Sequence, residues 1–151
     1  MEFATRMRVI VTGVFGILAG VFGIMTIPLL VLLGANIVDW ITGIIASIHE
    51  GKGISSARSM HGISKKVMMW LCIAVGAFLD VLIKYACDMF NVSFGYMWII
   101  APIVAIWIAC SELLSILENI IRSGVTPPRF LKPLVEKLMN QVEDKLTEEE
   151  T

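Results

Sequence analysis

Charge is scarce in this chain. Only 17% of its 151 residues are Asp, Glu, Lys or Arg, where an ordinary soluble domain carries about 25%. That shortage excludes a fully solvated surface. Cysteine is limited to Cys72, Cys87 and Cys110. All lie in or beside apolar runs, without a Cys-x-x-Cys pair or a Cys/His metal spacing, so they read as small packing residues. The two histidines, His49 and His61, have no Cys or carboxylate at ligand spacing and read as polar loop residues. His-Glu-x-x-His, Gly-x-Ser-x-Gly and a phosphate-cradling glycine loop are all missing. No enzyme, metal site or cofactor is expected. Basic blocks interleaved with aromatics are also missing, which leaves nucleic-acid binding without support. No internal repeat of useful strength is present.

What is abundant is hydrophobic sequence: 57% of residues, with a mean hydropathy of +0.82. It comes in long runs, which predicts an all-α integral membrane protein. Val9 to Ile48 is almost unbroken. As one helix it would be about 60 Å long, about twice the hydrocarbon thickness. Two spans, about 9–25 and 28–48, fit better, with a tight turn at Thr26-Ile27-Pro28 because Pro28 lacks an amide donor. One long bent helix is the alternative, giving three spans in all rather than four. The N-terminal run is read as a span, not a cleavable leader. HEGKGISSARSMHGISKK then reads as a loop. Further spans follow at about 67–90 and 96–117, the last with a kink expected at Pro102.

Residues 1–118 thus form a transmembrane domain and 119–128 a Gly/Pro linker. Residues 129–147 form a cytoplasmic amphipathic helix, with Phe130, Leu131, Leu134, Leu138 and Val142 on its apolar face. Residues 148–151 are an acidic tail. Four spans place every Lys and Arg except Lys84 on one side of the membrane. Flanking positive charge stays cytoplasmic, so both termini are expected there. Three spans would put Arg6 and Arg8 on the opposite side from the rest. Tyr96 and Trp98 fall at the outer interface, where amphipathic rings prefer to lie.

Polar residues interrupt the oil. Gly13, Gly16, Gly20 and Gly23 share one helix face of span one. They suit close helix packing, either against another span of the chain or against another copy. Span two carries Asn36 and Asp39, one turn apart. Span three carries Asp80 and Lys84 at ion-pair spacing. Span four carries Glu112, Ser115, Glu118 and Arg122, with Glu118 and Arg122 also at that spacing. Such residues face protein or water, not lipid. Asn36, Asp39, Asp80, Lys84, Glu112, Ser115 and Glu118 are therefore the candidate pore-lining or inter-helix polar residues. On these features alone a pore former, a small ion- or solute-coupled transporter and a non-pore scaffold remain open.

Four stretches in order carry a resemblance: VDWITGIIASI, ISSARSMHGISKKV, FLDVLIK and SELLSILENIIRSGVTPPRFL. The first holds a hydrophobic-Asp-aromatic-x-Thr-Gly run at Asp39 to Gly43. The second is a Ser-Ser then Gly-Ile-x-Lys-Lys loop from Ser55 to Lys66. The third carries Asp80 late in its span. The last is Glu-x-x-Ser-x-x-Glu-Asn-x-x-x-x-Gly-x-x-x-Pro at Glu112 to Pro128. From about Asn36 to Leu138 the chain resembles the bacteriophage holin family that includes toxin-secretion and phage-lysis holins of Gram-positive hosts. The resemblance implies a protein of the host cytoplasmic membrane that accumulates, forms a homo-oligomer in the lipid bilayer and opens lesions. A cytoplasmic endolysin, needing no stable contact with it, then reaches the cell wall; some relatives release large toxins. Glycine-rich span one lies outside the matched block.

Overall fold

The computed structural model describes residues 2–53, 55–93 and 99–148. Among these the fold is all-helical: α1 (Glu2–Phe22), α2 (Thr26–His49), α3 (Ser56–Phe90), α4 (Ile100–Arg122) and α5 (Leu131–Glu148). A single 3-10 turn, Gly23–Met25, joins α1 to α2. Among the described residues three helical stretches are long and apolar enough to cross a membrane: Gly23–His49, Ser59–Phe90 and Ile100–Arg122. That count is consistent with the three-span alternative, although the first of these stretches begins at Gly23 and not in one long bent helix from Val9. Tyr96 and Trp98 lie outside the described residues.

The break before α2 falls at Gly23–Met25, one turn earlier than expected. Gly23 provides the left-handed φ of 52° that the turn needs. Pro28 is the third residue of α2, where its missing N–H has no helical partner to lose. A tight antiparallel hairpin does not form: α1 makes only sparse contact with α2. Phe3, Val9, Ile10 and Val11 of α1 are exposed. Gly13, Gly16 and Gly20 have open space beside them, so their face is not packed on another span of the same chain.

The expected loop through Lys66 ends much sooner, because α3 starts at Ser56. Once the apolar half of α3 is nucleated, each added turn is inexpensive. Extended Ser55 precedes the helix, and Asn91 ends it in the left-handed region. Gly51 and Gly124 end α2 and α4 with positive φ. In all three ends an amide reaches back to an otherwise free carbonyl: Lys52 to Ser47, Val92 to Cys87 and Val125 to Ile120.

Helix α4 is the centre of the bundle. Helices α2, α3 and α5 each pack on it. Its buried Ala101, Ala105 and Ala109 recur every fourth residue and let the neighbours approach closely. The core joins Leu32 of α2 and Ile73 of α3 to Ala105, Ile108 and Ala109, with Trp70 and Trp107 packed around it. A Cβ on Gly76 of α3 would lie 3.1 Å from the Ala101 Cα. Large apolar side chains such as Ile37, Trp40, Val75, Phe78 and Leu82 point outward, as lipid-facing residues do. Helix α5 divides its apolar residues. Leu131, Val135, Met139 and Val142 are half-buried at helical spacing toward α4, whereas Leu134 and Leu138 are exposed, as is Phe130 just before the helix.

Candidate functional site

Three helices bring polar side chains to one level. Asn36 and Asp39 come from α2, Glu112, Ser115 and Asn119 from α4, and Lys66 from α3. The Lys66 ammonium donates to Asn36 Oδ1 at 3.2 Å, to Asp39 Oδ2 at 2.9 Å and to Glu112 Oε2. Glu112 is only 2% exposed. One cation thus serves two carboxylates and an amide.

The network continues toward the end of the bundle. Asn119 Nδ2 donates to Asp39 Oδ1 at 3.0 Å and to Thr42 Oγ1 at 3.4 Å. Arg122 donates to Asn119 Oδ1 at 3.0 Å. It also forks onto both oxygens of Glu50, at 2.8 and 3.0 Å, and Lys52 adds a 2.8 Å contact to Glu50. Lys66, Arg122 and Lys52 balance Asp39, Glu112 and Glu50. The Arg122 hydrogen bonds, helped by Lys52, lower the Glu50 carboxyl from 4.5 to about 2. Among the described residues no buried side-chain polar atom lacks a partner.

Asp80 forms a second polar site, at the start of α4. Its Oδ1 accepts from the amides of Ile99 and Ile100 at 3.2 and 2.9 Å, and its Oδ2 from Ala101 at 2.9 Å. Pro102 has no amide to satisfy, and the Ile103 amide makes a helical bond to the Ile99 carbonyl. Each N-terminal donor of α4 is therefore satisfied or absent. Pro102 in the first turn starts the helix cleanly, so the expected kink is not needed.

The spacing-based pairs do not form. Asp80 is taken up by α4 amides, and Lys84 is exposed without pairing to it. Glu118 is exposed, and Arg122 takes Glu50 instead. Asn36, Asp39 and Glu112 do come together, and Ser115 lines a neighbouring cavity of about 540 Å³. Sequence reasoning missed Lys66 and Glu50, and left Asn119, visible in the Glu112 to Pro128 motif, out of the candidate set. The sequence places Lys66 in a loop. The available signal was that Lys66 directly precedes the apolar stretch of α3, so one added helical turn carries it into the bundle. Among the described residues no group of His, Cys, Asp and Glu is arranged to hold a metal.

The fold and this site define a helical membrane protein whose spans are tied by an internal ionic network. The chain belongs to the bacteriophage holin family, with residues 16–140 matched. The match begins inside α1, so it takes in Gly16, Gly20 and Gly23. An uncharacterised Clostridium perfringens protein is 30% identical over 121 residues, 80% of this chain and 82% of the relative. An uncharacterised Listeria innocua protein is 30% identical over 137 residues, 89% of this chain and 86% of the relative. No solved structure matches. The family points to a non-enzymatic membrane protein.

Proposed function

We propose that the chain is a holin of the host cytoplasmic membrane. It oligomerises there and forms lesions or pores through which a cytoplasmic endolysin, or a large toxin, leaves without binding it stably. The family match over residues 16–140 carries this reading. The internal network supports it. At 1.5 Å per residue, Glu112 lies about 18 Å along α4 from the amides that Asp80 caps. Both polar levels therefore fit within a hydrocarbon core of about 30 Å. A subunit that satisfies these groups internally can accumulate in lipid without leaking. On assembly, Asn36, Asp39, Asp80 and Glu112 exchange internal partners for neighbouring copies or water, and Lys84, Ser115 and Glu118 meet neighbouring copies or water directly.

In this reading the membrane domain runs to the end of α4 at Arg122, four residues beyond the expected 118, residues 123–130 are the linker, and α5 is a cytoplasmic helix. Helix α1 crosses as a fourth span, its Gly13, Gly16, Gly20 and Gly23 face meeting a neighbouring copy. That keeps Arg6 and Arg8 with the other cytoplasmic cations and both termini inside. No enzyme activity, nucleic acid, metal or cofactor is involved.

The test is expression in bacteria with a co-expressed cytoplasmic endolysin lacking its own export signal. We expect growth to stop abruptly and turbidity to collapse only when both proteins are present. Loss of small dyes with folded protein retained would instead indicate a solute transporter. Membrane insertion with neither dye nor protein release would indicate a scaffold.

A further inference from the structure

We propose that Lys66 is a latch: its ammonium ties α2 and α3 together over α4, and its release admits water from the cavity between them to the buried Glu112. The inference rests on the holin reading for what the opening accomplishes, but not for the opening itself.

The geometry is ordered along all three helices. On α2, core Leu32 is followed by Asn36 and Asp39, then by Ser47 of the cavity. On α4, core Ile108 is followed by Glu112, then by Ser115. On α3, which runs the other way, core Ile73 is preceded by Lys66 and then by Ser59. The Lys66 cluster therefore lies between a dry apolar core and a cavity of about 540 Å³ that Asp39 and Lys66 themselves line, together with serines and the apolar Ile37, Trp40 and Ile44.

Packing makes Lys66 a suitable tie. Helices α2 and α3 pack principally on α4, and Lys66 reaches across from α3 to Asn36 and Asp39 of α2. Its side chain is 20% exposed, on a flexible four-carbon stem that can carry the charge toward the cavity. Once the ammonium leaves, Asp39 keeps the Asn119 amide. Arg122, the cation bonded to Asn119, is held by Glu50. Glu112 and Asp39 are then two carboxylates without a counter-ion at contact. Buried charge left in that state is strongly unfavourable. The cavity already meets Asp39 and Lys66 between α2 and α3, so water relieves it by advancing past them to the buried Glu112.

The test uses the full-length chain and two readouts. The first is lysis onset with co-expressed endolysin at matched membrane content. The second is amide hydrogen exchange of purified protein in phosphatidylethanolamine/phosphatidylglycerol vesicles. Lys66→Met should advance lysis at least twofold and speed exchange at residues 36–47 at least tenfold. Lys66→Arg should remain near wild type. The triple variant Lys66→Met, Asp39→Asn, Glu112→Gln removes the stranded charges and should return both readouts toward wild type. Unchanged onset and exchange in Lys66→Met would overturn the latch, as would a triple variant as altered as the single one. If Lys66→Met fails to accumulate, the triple variant decides: near-wild-type behaviour supports the latch, and fast exchange overturns it. If wild type never lyses cells yet exchange follows the stated pattern, the latch stands and the holin reading falls.

Discussion

Gly76 occupies a position where a side chain has no room. A Cβ there would meet the Ala101 backbone at 3.1 Å, and backbone cannot swing aside. Gly76→Leu should destabilise the bundle by about 1–3 kcal/mol through overpacking, read as a lower unfolding midpoint in detergent. Gly43 is a useful contrast. Its added Cβ would meet only the Asn119 side chain, at an ordinary 3.6 Å, so Gly43→Ala should leave the midpoint unchanged or slightly raised. Glu50 supplies a residue-scale pH dependence. Its folded pKa, about 2, lies below the ordinary 4.5. The Arg122–Glu50 link is therefore fully stabilising above about pH 4.5 and is lost as pH falls toward 2. In Glu50→Gln the part of the acid response arising from this window should vanish, seen by comparing unfolding midpoints of variant and wild type between pH 5 and about 2.

Helix α4 begins where it does because another helix caps it. Asp80 of α3 supplies the acceptors for three amides, a role usually filled by a local Ser, Thr, Asp or Asn. Asp80→Ala should destabilise α4 by about 1–3 kcal/mol, since buried amides lose their acceptor. Exchange should quicken first at residues 99–103. Asp80→Leu should in addition shift lysis timing without preventing membrane insertion. Helix α5 offers a separate test of its packed face. Val135 is half-buried toward α4, while Leu134 is exposed. Val135→Asp should release α5 to limited proteolysis near Pro127 and Pro128, whereas Leu134→Asp should leave cleavage in the folded subunit unchanged.

At the scale of the molecule, α4 acts as a shared wall, with α2, α3 and α5 packed around it. Polar contacts are concentrated at two levels along it, the Asp80 cap and the Lys66 network. The apolar core between them contains Leu32, Ile73, Ala105 and Ile108. The charge distribution leads to the topological prediction. In a background lacking Cys72, Cys87 and Cys110, single cysteines at Thr5 and Thr147 should both react with an impermeant thiol reagent only from the cytoplasmic side. Labelling of the Thr5 position from outside would establish three crossings instead of four.

The sequence alone determined the class of fold, because long apolar runs with few charges have one stable solution in lipid: helices that satisfy their own backbone. It also marked Asp39, Asp80 and Glu112, since ionisable groups in such runs need a protein or water partner. Which partner each one takes was decided by tertiary structure. Local spacing pointed from Asp80 to Lys84 and from Glu118 to Arg122, but both pairings lost to contacts from other helices. Three uncapped amides drew Asp80, and Glu50 at the end of α2 drew Arg122. Lys66 became central only when α3 extended into the expected loop and carried its ammonium between two carboxylates distant in the chain. Helical periodicity describes one helix at a time, whereas these bonds depend on how separate helices align around α4.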